Sequence, residues 1–195
     1  MLQNTDGLEE YSNILSRDTC EKIIDMFNND NRRQVGETVA GVGTQKVSTD
    51  LMCDFSQKRF SKYSELIVPG IEILVRNFKE KYPFLNDGVS HWSLHTDYNI
   101  QHYKHGEGYY AIHTEHGYEN PYRMGVWMIY LNDAKCGTAF PYQNAVIQAE
   151  EGKGVMWSAG WTHAHVGVCP NIGDKYIATG WFNFYKPGRK QKGFK

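Results

Sequence analysis

The stretch "HWSLHTDYNIQHY" (residues 91–103) is where the chain changes character. Trp92, Leu94, Tyr98 and Ile100 stand at even positions, against Ser93, His95, Asp97, Asn99 and Gln101 at odd ones. Side chains of a strand point alternately to opposite faces, so this period of two predicts a strand with one buried face. Short runs of the same kind follow: "YYAIHTE", "MGVWMIYLND", "AVIQAE", "GVMWSA", "HAHVGV" and "KYIATGWFNFY". They are rich in β-branched and aromatic residues and are divided by Gly, Asn, Asp and Pro. Many short strands at this spacing predict a sandwich or barrel-like pair of sheets.

Upstream the period is helical. "LSRDTCEKIIDMFNND" reads as a helix with Asp18 as N-cap and Glu21 completing a capping box. Ile23, Ile24 and Phe27 form its apolar stripe. Residues 32–56 read as irregular strand and loop. A second helical region spans about Gln57 to Tyr82, with Phe60, Tyr63 and Ile67 on one face and Ile71, Leu74, Val75 and Phe78 continuing it. The Pro-Gly pair at 69–70 predicts a kink or a split there. Two helices followed by strands predict an α+β, mainly β, fold with the helices supporting one sheet.

The 195 residues suffice for one sizeable core, and a single domain is expected over 1–195. Its parts are helical support and loops over 1–85, a β core over 86–185 and a basic tail over 186–195. A net charge of −1 provides no field to attract nucleic acid, which makes a nucleic-acid partner unexpected. The basic tail reads as a solvated end rather than a nucleic-acid arm. No run of apolar residues is long enough to span a membrane, and no membrane partner is expected. Cys20, Cys53, Cys136 and Cys169 form no C-x-x-C pair. With no signal peptide, they read as reduced thiols, and the expected location is cytoplasmic, or the host cytoplasm for a viral chain. All eight histidines and all five tryptophans lie between His91 and Trp181, so the chemistry is expected in the second half.

"IHTEHGYENP" places His113 and Glu115 two apart, on one face if the segment is a strand. "GWTHAHVGV" offers His163 or His165 as a third ligand some fifty residues later. Two imidazoles and one carboxylate with open positions form the facial triad of non-haem Fe(II) oxygen chemistry. Spacing alone does not choose between "HTE" at 113–115 and "HTD" at 95–97. A lone strand histidine is also more often a hydrogen-bonded structural residue than a ligand.

Five blocks in order carry a family resemblance: "IQHYKHGEGYYAIHTE", "RMGVWMIYLND", "CGTAFP" (a Gly- and Thr-containing turn ending in Phe), "AEEGKGVMW" and "HVGVCPNIGDKYIATGW". From about Ile100 to Tyr185 the chain resembles the Fe(II)/2-oxoglutarate-dependent oxygenases, in particular the prolyl 4-hydroxylase-like branch. Compact members of this kind occur in phage and marine microbial sequences. The first ninety residues resemble the family only through the "DTCEKIIDMF" helix.

The resemblance implies a double-stranded β-helix, or jelly roll, with supporting N-terminal helices. It makes His113, Glu115 and His165 the catalytic metal ligands of Fe(II). His165 is preferred to His163 because it precedes Lys175 by ten positions, as the family pattern has it. Lys175 would pair with the far carboxylate of the cosubstrate 2-oxoglutarate, since a buried ammonium needs a counter-charge. Tyr103 and Tyr130 would donate hydrogen bonds to it, Thr179 could add a hydroxyl, and Trp181 would pack near the pocket. Ascorbate would be a supporting reductant.

One departure stands out. Most of the family has Asp where this chain has Glu115, which adds about 1.5 Å of reach. A carboxylate here also argues against a halogenase. His163 and His116 read as hydrogen-bonded neighbours of the site, His116 equally as a solvent-facing turn residue. Arg123 is expected either to touch substrate or cosubstrate or to close a loop by a salt bridge. His95 and Asp97 belong to a flanking strand and the substrate cleft, and His91, His102 and His105 are exposed or structural. The tyrosines of 109–122 line a peptide groove or serve as strand core.

The implied reaction couples oxidative decarboxylation of 2-oxoglutarate, with O2, to hydroxylation of an unactivated C–H bond. A prolyl residue in a peptide or protein leads as substrate. A free amino acid or small metabolite is the alternative. Two rivals from other classes are a cupin-like metal- or ligand-binding jelly roll without redox activity and a binding module whose histidines are structural. The sequence leaves the oligomeric state open.

Overall fold

The structure is a computed structural model that describes residues 6–38, 45–86 and 91–185. In chain order the elements are β1 (Leu8–Tyr11), α1 (Arg17–Asn28), β2 (Gln34–Val35), β3 (Thr49–Asp54), α2 (Ser61–Lys81), β4 (Trp92–Tyr103), β5 (Arg123–Tyr130), β6 (Gly137–Phe140), β7 (Ala145–Gln148), β8 (Gly154–Ser158), β9 (Val166–Val168) and β10 (Lys175–Phe184). Seven strands form one sheet in the order β1-β8-β5-β10-β4-β3-β2, and three form a second in the order β7-β6-β9. Every pairing is antiparallel. Two antiparallel sheets facing one another, with both helices behind the larger, make a double-stranded β-helix.

The alternation read from "HWSLHTDYNIQHY" is realised in β4. Tyr98 and Ile100 turn to the helices and are buried with Ile23, Phe27, Ile67, Leu74 and Trp127. Asn99, Gln101 and Tyr103 turn to the other face and line the cleft between the sheets. In β10 the same rule sends Ala178 and Phe182 to the helical side and Lys175, Ile177, Thr179 and Trp181 to the cleft. A second core, with Val126, Met128, Tyr130, Phe140, Val155 and Trp157, fills the space between the sheets.

Three local expectations are corrected. Ser16, not Asp18, caps α1: its side chain accepts from the Thr19 amide at 3.3 Å. Asp18 sits in the first turn, where its charge complements the helix dipole. α2 continues unbroken through Pro69. Gly70 beside it serves packing, since a Cβ there would stand 2.8 Å from Leu15 Cδ2. "GTAF" is the strand β6 rather than a turn.

"YYAIHTE" is not a regular strand either. Tyr109 bridges Lys46 and His113 bridges His165 as isolated pairs. The rings of Tyr109 and His113 stack at 3.7 Å and 14°. Residues four apart in a strand are roughly 13 Å apart, so the stacking requires a contracted backbone. The basic tail from residue 186 onward lies outside the described residues.

Candidate metal and cosubstrate site

Among the described residues, one group of His, Cys, Asp or Glu side chains converges as metal ligands: His113, Glu115 and His165, with ligand atoms all within 4.8 Å of one another. The contracted segment before β5 presents His113 and Glu115, and the residue entering β9 presents His165. The pairs His113 N–His165 O and His165 N–His113 O, at 3.0 and 2.9 Å, fasten the two segments together.

Glu115 Oε1 stands 3.6 Å from His113 Nε2 and 3.8 Å from His165 Nε2. Each histidine places its other ring nitrogen on a main-chain carbonyl: His113 Nδ1 on Ala111 O and His165 Nδ1 on His163 O, both at 3.0 Å. That arrangement puts the proton on Nδ1 and leaves the Nε2 lone pair for a metal. Burial and the neighbouring His113 push His165 down to about 4, so its ring is neutral at pH 7. Burial alone would raise Glu115, but His113, His165 and Arg123 outweigh it and hold the carboxyl at about 2. Two imidazole donors and one ionised carboxylate are the donor set that fits Fe(II).

The second oxygen of Glu115 is held from behind. Arg123 Nη1 donates to Oε2 at 2.8 Å and Trp181 Nε1 donates to it at 2.9 Å. The Arg123 guanidinium lies 3.8 Å above the Trp181 ring. Arg123 therefore forms a salt bridge, but with the triad carboxylate itself. Nothing in the spacing of residues 115, 123 and 181 reveals this.

The triad opens into a cleft of about 440 Å³ that also contains Lys175, Tyr103, Thr138, Thr179 and Trp181. Lys175 is only 2 % exposed. Its Nζ donates to Gly137 O and Val168 O at 3.3 and 3.2 Å and lies 4.7 Å over the Tyr103 ring. Among the described residues no carboxylate pairs with it. Burial pushes its pKa down. A buried ammonium on two carbonyls and a ring face lacks a full counter-charge, which a dicarboxylate would supply.

The other expected residues take different places. Tyr103 lines the cleft, but its hydroxyl donates to Gln101 Oε1 at 2.9 Å, so its ring face is what meets Lys175. Tyr130 does not line the cleft; its hydroxyl donates to Thr138 Oγ1 at 2.8 Å, and Thr138, given no role in the sequence reading of "CGTAFP", stands at the wall instead. Thr179 donates to Trp127 O at 2.9 Å, leaving its oxygen to accept. His95 and Asp97 are not cleft residues. His95 Nδ1 accepts from the Asp97 amide at 3.1 Å, its ring lies 6.4 Å from that of Trp181, and Asp97 is exposed. His163 lies in a short helical turn and its Nε2 bonds Asp6 O at 3.0 Å, turned away from the triad. His116 Nδ1 bonds Arg123 O at 3.0 Å, and His102 pairs with Asp174 while stacking on Tyr176.

Comparison with known proteins bears on this geometry. Residues 98–183 match the family model of the 2OG-Fe(II) oxygenase superfamily. The fold is similar to a viral collagen prolyl hydroxylase from Paramecium Bursaria Chlorella virus-1 in its 2OG complex (TM-score 0.66, 19% identity, covering 95% of this chain and 100% of that one). It is similar to a Pseudomonas putida prolyl-4-hydroxylase (0.65, 16% identity, 92% and 94%). It is also similar to a Trichoplax adhaerens prolyl hydroxylase in complex with a hypoxia inducible factor peptide fragment (0.70, 16% identity, 92% and 84%). No curated protein matches the sequence. No helix among the described residues is long and apolar enough to cross a membrane. The family match over 98–183, the jelly roll and a His/Glu/His set that fits Fe(II) agree: residues 98–183 match a 2OG-Fe(II) oxygenase domain, and the chain is a 2-oxoglutarate-dependent dioxygenase.

Proposed function

We propose that the chain hydroxylates an unactivated C–H bond of a prolyl residue in a peptide or protein, with Fe(II) on His113, Glu115 and His165 and 2-oxoglutarate on Lys175. The observation that carries this reading is the shared cleft: a converged His/Glu/His set and a buried ammonium with no carboxylate partner among the described residues open into one cavity. When bound, iron and 2-oxoglutarate supply the O2-dependent oxidising power that no side chain has.

The protein's part is placement. Lys175 fixes the far carboxylate of the cosubstrate. Tyr130 donates to Thr138 Oγ1, which frees the Thr138 proton to be donated into the cleft. Ile177, Met128 and Trp157 form apolar wall and exclude water. Arg123 and Trp181 hold the outer oxygen of Glu115, so its inner oxygen faces the histidines.

The peptide reading draws on the segment that bears the triad. Ile112 is 63%, Tyr118 96% and Tyr122 64% exposed, and apolar side chains open to water mark an interaction surface. The relative bound to a hypoxia inducible factor fragment is a peptide complex of the same fold.

The test is anaerobic titration with Fe(II) and 2-oxoglutarate, read by the weak visible charge-transfer band, followed by succinate release with proline-containing peptides. A band that needs both components, shifts or disappears in Glu115→Ala, and demands far more 2-oxoglutarate in Lys175→Ala is expected. A folded, metal-loaded protein without the band sinks the reading. Succinate release driven by free amino acids but not by peptides would move the substrate to the small-molecule alternative.

A further inference from the structure

Cys136 and Cys169 flank the β6–β9 ladder, beside the cation proposed to anchor the cosubstrate. In that ladder Gly137 lies opposite Val168, Thr138 opposite Gly167 and Ala139 opposite Val166. One step further at one end the same register sets Phe140 against His165, and their rings are 5.4 Å apart. Extended one step past its last pair at the other end, the register would set Cys136 against Cys169. Thr138, Gly167 and His165 all line the cleft, so by alternation the two cysteines share that inward face. Directly opposite residues of an antiparallel pair have Cα atoms roughly 4.5–5.5 Å apart, within the range a disulfide spans.

The rung next to these thiols holds Lys175, whose Nζ donates to Gly137 O and Val168 O. Gly108 makes room for the second thiol: a Cβ there would stand 2.5 Å from Cys169 Sγ. Cys169 is half-buried and Cys136 is buried. Cys20 and Cys53 lie in the other core, where burial pushes their thiols up to about 11 and about 12.

We infer that Cys136 and Cys169 are a cross-strand dithiol that closes to a disulfide on exposure to a low-molecular-weight disulfide, and that closure weakens 2-oxoglutarate binding at Lys175. Cys169 gives up its proton, and its thiolate attacks one sulfur of the reagent RSSR and expels RS⁻, which is protonated to RSH. Cys136 then loses its proton and attacks Cys169 Sγ. The mixed S–S bond breaks and a second RSH leaves. Two cysteine thiols are oxidised and one RSSR is reduced. Closure draws together the rung whose carbonyls hold Lys175. The effect on 2-oxoglutarate rests on the proposed role of Lys175; formation of the bond does not.

The experiment treats the whole chain with oxidised glutathione, alkylates it, and maps the unreduced digest by mass spectrometry. A peptide linked through residues 136 and 169 is expected. Calorimetry of 2-oxoglutarate with Mn(II) should show binding weakened about tenfold, restored by dithiothreitol, and insensitive to oxidation in Cys136→Ser and Cys169→Ser. Cys136→Ala serves if serine in the buried site disturbs folding. Glutathione on Cys169 without the link overturns the inference, and so does a link that leaves affinity unchanged. A link in a chain that binds no 2-oxoglutarate even when reduced supports the dithiol and overturns the anchor role of Lys175.

Discussion

At Glu115 one methylene changes how the carboxylate of the triad is held. With the longer side chain, Oε2 reaches the paired donors Arg123 and Trp181 while Oε1 still faces both histidines. The guanidinium rests on the indole, so the two donors brace each other. Arg123→Gln should lower Mn(II) affinity about 10–100-fold, the usual effect of removing a hydrogen-bond partner of a metal ligand. In a Glu115→Asp background the shorter carboxylate no longer reaches the clamp. There the same change should cost much less, a coupling of roughly 0.5–3 kcal/mol. Metal titrations of the four proteins measure it, and additive losses would show that Arg123 does not act through Glu115. The pair "HTE" was legible in the sequence as a ligand candidate, but no more so than "HTD". His95 and Asp97 meet no third ligand among the described residues, because β4 carries them to the rim and into solvent.

At the level of elements, β10 joins the two cores. Its even residues face the helices, its odd residues the cleft, and Gly180 is the point of closest approach to the buried Trp127. A Cβ there would stand 2.7 Å from the indole. Gly180→Ala should therefore destabilise the protein by about 1–3 kcal/mol, read as a lower urea midpoint with an unchanged slope. Beyond the end of α1, Asp30 is bound by Arg32 through Nε at 2.8 Å and its amide at 2.9 Å, and by the Tyr63 hydroxyl at 3.2 Å. The Arg32 hydrogen bond is the largest cause that holds the Asp30 pKa below its ordinary value. A depressed carboxyl stabilises the fold above its unfolded pKa, and that contribution disappears as pH falls through the folded one. Asp30→Asn should cost about 1–2 kcal/mol at pH 7, and in acid titration of stability the gap between wild type and variant should start to close below about pH 3.9 and vanish only below the folded pKa. A constant gap down to pH 3 would assign the loss to packing. The helices and most strands were legible because their periods are local. The segment 109–117 was not, since the Tyr109–His113 stack and the His113–His165 bridge contract it against its own strand propensity.

Across the whole molecule, His165 borders the second core, its ring 5.4 Å from that of Phe140 and 5.0 Å from that of Trp157. Both clusters are built from apolar side chains of the helices and sheets. Chelation should then leave a folded chain, and Mn(II) at 100 times its Kd should add about 2.7 kcal/mol. That corresponds to a melting shift of roughly 5–10 °C for a chain of this size, measurable by calorimetry with and without EDTA. Unfolding on chelation would make the metal a structural element instead.

The sequence by itself determined the two helices of the first half, the alternating strands of the second and the residue types of the site, because these are periods and patterns among near neighbours; that β1, β2 and β3 of the first half join the larger sheet was not legible. Only the tertiary structure decided which histidines meet which carboxylate, that Arg123 and Trp181 grip Glu115, that Tyr130 acts on Thr138 rather than in the cleft, and that Lys175 lies buried with no acid beside it among the described residues. Each of these depends on segments tens of residues apart being brought within hydrogen-bond distance. The register of antiparallel strands and the packing of two sheets set that distance, and no local spacing encodes it.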